Sequence, residues 1–179
     1  LGHRRIGFIA GLRELSTAAD RLRGYRAALR AAGLPVDPSL IRPGAFKAEM
    51  AQRAAQDLLK LPRRPTAIVA GNDLMALGVM QTAGDLALRI PEDLAVVGFD
   101  DIEIAAHRQV QLTTMAQQKA EMGRMAVVWL LEIIRDPRRY ARQPLQQILT
   151  PTLVVRRTCG ALMRGDKSGD RRATVPRPG

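Results

Sequence analysis

Val96-Val97-Gly98-Phe99-Asp100-Asp101 reads as a buried strand that ends by presenting two carboxylates. Val96 and Val97 are β-branched and continuous, as expected of a strand covered on both faces. Gly98 allows close backbone approach, and the acids follow at the strand's carboxyl end. Open α/β sheets bind ligands just outside the carboxyl ends of their strands. Upstream, Thr66-Ala67-Ile68-Val69-Ala70-Gly71-Asn72-Asp73 repeats the pattern: an apolar strand, a glycine, two polar side chains, then a helical run from Leu74. Asn supplies a donor and an acceptor, and Asp supplies two acceptor oxygens. Two strands delivering such groups to one sheet edge point to recognition of hydroxyls.

The same alternation extends outward. Arg5 to Gly11 reads as a strand, and a helix follows to about Ala32, with Ser16 or Thr17 as its expected cap and Gly33 as its stop. A short strand is expected at Leu40-Ile41. The spacing of Met50, Ala54, Leu58 and Leu61 predicts a helix over 47–61, closed by Pro62 and Pro65. A third helix covers Asp73 to Leu86, a strand covers Leu94 to Gly98, and a helical turn covers Ile102 to Ala106. Leu112 to Met115 is extended, and Lys119 to Arg135 is a long amphipathic helix. Ile148 to Val155, interrupted by Pro151, reads as an edge strand. Strand–helix alternation implies a parallel sheet with right-handed crossovers and helices on both faces. From Gly160 onward Gly, Pro, Arg and Asp dominate, and the composition predicts disorder.

Composition narrows the possible functions. The 179 residues are 46% hydrophobic but only 3% aromatic, so the core must be built from Ala, Leu, Val, Ile and Met. Cys159 is the single cysteine, which excludes an internal disulfide and fits a reducing compartment. No stretch approaches a membrane span, and the first residues do not form a secretory signal. The net charge of +11 invites a nucleic-acid reading. Residues 156–179 carry seven basic side chains against two acidic ones, so the tail holds nearly half of the excess. No basic helix, zinc-ligand spacing or aromatic RNA-binding motif accompanies the charge. His3 and His107 stand alone without metal-ligand spacing. No nucleophile elbow or phosphate loop is present. Neither a catalytic constellation, a metal site nor a cofactor is therefore expected.

The ordered motifs resemble the core of LacI-type bacterial transcription regulators, whose ligand domain is related to type I periplasmic sugar-binding proteins. The matching pieces are Leu1 to Ile9, Arg21 to Leu29, Pro65 to Ile68, Asn72 to Gly78, Arg89 to Asp101, Leu112 to Thr114 and Glu121 to Gly123. The resemblance runs from Leu1 to about Cys159. It implies an α/β, periplasmic-binding-protein-like fold of type I, largely the second of two lobes. Residues 1–115 would form that lobe and residues 116–159 a crossover segment, helix and terminal strand; residues 160–179 would be a basic tail. A cytoplasmic regulator that binds a small polar effector is implied, with a sugar as the expected class. Operator DNA would be read only by an N-terminal domain outside this chain. A homodimer is implied through the helix at Leu74 to Met80 and the segment near Ile102 to Arg108, with small Ala76 and Gly78 permitting close approach. The apolar face carrying Trp129, Leu130 and Ile133 would pack on the first lobe. A fragment of a transport-type sugar-binding protein is the alternative.

The expected ligand-binding residues are Arg21, Phe46, Asn72, Asp100 and Gln117. By motif position Arg21 matches the family's effector-binding arginine, whose guanidinium forks onto vicinal hydroxyls or a carboxylate. Its plain alternative is a solvated helix charge. Phe46 falls where the family often places an aromatic against the ligand ring, and ordinary packing is its alternative. Asn72 and Asp100 sit at strand ends, where loop capping competes with ligand contact. Gln117 follows the extended Thr113-Thr114 segment, where the family's lobe-crossing strands supply a polar contact. Asp73 is expected to cap the following helix. Asp101 is expected to be structural, because adjacent strand residues face opposite ways.

Overall fold

The computed structural model describes residues 1–140 and 145–164. Six strands form one sheet: β1 (Ile6–Ala10), β2 (Ile41–Pro43), β3 (Ala67–Ala70), β4 (Ala95–Asp100), β5 (Thr113–Ala116) and β6 (Thr152–Val154). Their order across the sheet is β2-β1-β3-β4-β5-β6. The first five pair in parallel, and β6 pairs antiparallel to β5, with Met115 opposite Leu153. The all-parallel expectation thus holds for five strands. The sixth begins just past Pro151 and closes an edge, where a missing backbone donor is tolerated.

Helices α1 (Ser16–Ala31), α2 (Ala48–Leu59) and α3 (Asp73–Asp85) fill the crossovers. Alternation along β1 decides what each face meets. Phe8 packs with Tyr25 and Leu29 of α1, its ring 4.8 Å from that of Tyr25. Ile9, one residue on, joins the larger core between sheet and α2–α3. Tyr25 donates its hydroxyl to the Ile6 carbonyl, and burial pushes its pKa up. α2 presents Ala51, Ala54, Ala55, Leu58 and Leu59 inward, so Met50 lies on the exposed side rather than on the expected buried face.

The small residues let α3 approach closely, but toward α2. Ala76 and Gly78 are buried, and a Cβ on Gly78 would run into the Ala48 carbonyl. This corrects their expected place in a dimer contact. The outward side of α3 carries Leu74 instead, 49% exposed.

Two cap expectations also change. The N-cap of α1 is Leu15, with Ser16 already helical and no side-chain cap. Its end is as expected: Gly33 adopts φ +65°, and Leu34 N–H reaches back to Leu29 O, a Schellman closure. At α3 the cap is Asn72, whose Oδ1 accepts from Met75 N–H at 2.9 Å. Asp73, expected to cap, occupies the first helical turn and is fully buried.

The chain beyond β6 docks under β4 and β5. Thr158 Oγ1 accepts from Thr113 N–H at 2.9 Å and donates to Val96 O at 2.8 Å. Cys159 is buried beside it. Ala161–Arg164 forms a 3-10 turn, so the expected disorder does not begin at Gly160, and residues 165–179 lie outside the described residues.

Helix α4 (Lys119–Arg135) has no buried residue, and a short helix α5 (Pro137–Tyr140) follows it. Val127, Leu130, Leu131 and Ile134 are all about half exposed or more. Of the face expected to pack on a first lobe, Leu130 and Ile133 are exposed, while Trp129 is half-buried beside Gln147 and Leu149. Among the described residues no helix is long and apolar enough to cross a membrane.

Candidate functional site

The carboxyl ends of β1, β3, β4 and β5 converge on one charged group, the Arg21 guanidinium. Arg21 projects from the second turn of α1, which follows β1 directly. Its Nη1 donates to the Gly71 carbonyl just past β3. Its Nη2 lies 3.4 Å from Asp100 Oδ1 at the end of β4. Gln117, just past β5, donates from Nε2 to the same Asp100 oxygen at 2.6 Å. The guanidinium carbon stands 3.8 Å from the Phe99 ring centre and 5.6 Å from that of Phe46, cation–π distances for both rings.

Four of the five expected residues therefore meet in one network: Arg21, Phe46, Asp100 and Gln117. Asn72 lies beside Gly71, but its carbonyl oxygen is committed to capping α3. Phe99 is the residue that reading the sequence for polar groups missed. It is one of three phenylalanines in the chain and immediately precedes Asp100. That scarcity was the available signal.

The electrostatics are incompletely balanced. Burial lowers the Arg21 pKa, and Asp100 opposes the change. Burial also raises the Asp100 pKa above the usual carboxylate range, against the pull of Arg21 and the Gln117 hydrogen bond; the nearby Asp73 charge adds to the rise. Each charge is thus partly desolvated without full compensation. A hydroxyl-bearing ligand can donate to Asp100 and accept from Arg21.

Backbone strain accompanies the site. Phe46 has φ +59°, and Asp100 and Asp101 have φ +120° and +51°. Non-glycine residues held in such regions cluster at ligand clamps. A Cβ on Gly11 would collide with the Phe46 ring, so that glycine is what lets the ring lie against the end of β1. Asp101 turns away from Asp100, as expected. Its Oδ1 lies 2.8 Å from Arg156 Nη2, an ion pair whose N–H does not point at the oxygen, so Oδ1 has no hydrogen bond. The two acids are not a dyad.

Beside Gln117, a cavity of about 310 Å³ runs under α4, lined by Met122, Met125, Trp129 and Leu149 among others. Among the described residues no group of three or more His, Cys, Asp or Glu could hold a metal ion.

Residues 1–159 match the family model described as "Periplasmic binding protein-like domain". The chain is 45% identical over 131 residues to the transcriptional repressor CytR of Escherichia coli K12, covering 73% of this chain and 38% of that protein. It is 39% identical to the ribose operon repressor of Haemophilus influenzae, covering 90% of this chain and 48% of the repressor. Its fold matches the transcriptional regulator CelR–cellobiose complex with a TM-score of 0.81 and 35% identity, over 88% of this chain and 47% of the other. Fold and site thus define a periplasmic-binding-protein-like ligand domain. The chain belongs to the LacI-type transcription regulators, as part of their effector-binding domain. It spans less than half the length of these relatives.

Proposed function

We propose that this chain is the effector-sensing and dimerisation part of a LacI-type regulator that acts in the cytoplasm and is not an enzyme. It binds a small polar ligand of the sugar class through Arg21, Phe46, Asn72, Asp100 and Gln117, with Phe99 added. The observation that carries this reading is the Arg21–Asp100–Gln117 network set between two aromatic rings. A charged donor and a charged acceptor fit vicinal hydroxyls, and the rings fit the apolar face of a sugar. Similarity to the ribose operon repressor and to the cellobiose complex supports the ligand class. The transport-type alternative is not favoured, because the similar proteins are repressors.

The mechanism is linkage. A ligand that prefers one arrangement of two lobes shifts the equilibrium that sets DNA affinity. In this reading residues 1–115 are the second lobe and residues 116–159 the crossover. The apolar face of α4 packs on a first lobe outside this chain, which also carries the link to an operator-reading domain. Residues 160–179 are a basic tail. Leu74 of α3, together with the open groove lined by Ile102, Glu103, Ile104 and His107, forms the two-fold contact with a second copy.

A thermal-shift and calorimetric screen of monosaccharides, disaccharides and nucleosides tests the reading. One compound should stabilise the chain, and R21M and D100N should each weaken its binding about tenfold or more, the loss of one hydrogen bond to a charged group. Binding that survives both substitutions unchanged refutes the site.

A further inference from the structure

Asp73 is fully buried on the first turn of α3, yet both of its carboxylate oxygens serve other elements. Oδ1 accepts the Thr114 hydroxyl of β5 at 2.6 Å, and Oδ2 accepts the Ile102 N–H at 2.9 Å. Space for the first oxygen comes from Gly98 in β4, where a Cβ would overlap it. The positive end of α3 favours the charge. Ile102 directly follows Asp100 and Asp101, both at positive φ. Strained backbone of this kind persists only where its surroundings fix it. Lys119 donates to the Asp101 carbonyl, Arg156 pairs with the Asp101 carboxylate, and Asp73 accepts from the next residue, Ile102.

We propose that Asp73 is a positioning residue: it clamps the Asp100–Asp101 turn through Ile102, and so aims Asp100 at Arg21 while fixing the segment that carries Ile104 relative to Leu74. One carboxylate then joins the ligand edge to the outward surface of α3. Leu74, next to Asp73 in the chain, and Ile104, two residues past Ile102, are 49% and 48% exposed, while Ile102 itself is half-buried against the core. A ligand that pulls on Asp100 is transmitted to this surface through Ile102 and Asp73. The ligand role of Asp100 rests on the proposed function; the clamp itself does not.

The test uses the full 179-residue chain and needs no ligand for its first arm. Amide hydrogen exchange is followed at Ile102 and, as an internal reference, at Ala67 to Ala70 in wild type, D73N, T114V and T114S. An asparagine cannot accept both hydrogen bonds. D73N should speed exchange at Ile102 by about tenfold or more, as expected for a lost bond to a buried charge. T114V, which frees one oxygen, should give a smaller increase, and T114S should restore the wild-type rate. The Asp100 carboxyl carbon should titrate differently in D73N and normally in T114S. If D73N does not fold, the contrast between T114V and T114S decides. Unchanged exchange at Ile102 in both D73N and T114V, with an unmoved Asp100 titration, overturns the proposal. D-ribose is then added to the same samples. No response to it or to any sugar in wild type would refute the ligand reading while leaving the exchange result to judge the clamp.

Discussion

A double-mutant cycle on Arg21 and Asp100 probes the site's electrostatics directly. The charges lie 3.4 Å apart with side chains 18% and 25% exposed. Coulomb's law gives about 1.2 kcal/mol at this separation in water and about 4.9 kcal/mol at an effective dielectric near 20. Partial exposure and the cost of ordering two side chains reduce the upper figure, so the expected coupling is about 1–3 kcal/mol. Urea denaturation of wild type, R21M, D100N and R21M/D100N measures it. The single substitution D100N should nevertheless change stability little, because burial already penalises the ionised carboxylate and an asparagine oxygen can keep both hydrogen bonds. A raised folded-state pKa means that the carboxyl's stabilising contribution is complete below about pH 3.9 and is lost as pH rises through its folded value. Wild type should therefore gain on D100N as pH falls from neutral toward 4. A coupling below about 0.3 kcal/mol would refute the reasoning, since a working pair in this setting must exceed the exposed-pair floor. A gap that moves against wild type on acidification would refute the burial argument.

Other expectations follow from single contacts. G98A places a methyl on the Asp73 oxygen and should destabilise by about 1–3 kcal/mol in urea denaturation, with exchange at Ile102 rising in parallel. T158V strips the partner from Thr113 N–H and Val96 C=O and should cost about 2–6 kcal/mol, since each orphaned buried group costs about 1–3 kcal/mol; a loss under about 0.5 kcal/mol would contradict the docking of this segment. Helix α4 exposes Val127, Leu130 and Ile134 together, so the chain should self-associate, and serine at all three positions should shift sedimentation toward smaller species.

Much of the fold was legible because its signals are local. β-branched runs, Gly33 and Pro62 placed the elements within a few residues. The direction of β6 was not, because a three-residue edge strand carries no periodicity that tells parallel from antiparallel. Helix faces are only partly legible: the spacing turns Met50 inward, while the closely packed alanines of α2 claim that face. Ala76 and Gly78 were legible as contact residues, but a small side chain does not say which neighbour it admits. In the site, the polar chain of Arg21, Asp100 and Gln117 followed from strand ends and the family resemblance. Phe99 was hidden because it reads as one more strand residue. That Asn72 rather than Asp73 caps α3 was also hidden, since both residue types cap helices, and only the positions of Thr114 and Ile102 draw Asp73 inward.

The central claim is that the carboxyl edge of the sheet around Arg21 is the ligand site. Amide chemical-shift mapping of the chain, titrated with a panel of sugars and nucleosides, tests it most directly. A binding compound should perturb Gly71–Asn72, Phe99–Asp100 and Gln117 first, with Ile102 following. Perturbations confined to the cavity beside Cys159 and Pro91, with the Arg21 edge silent, would contradict it.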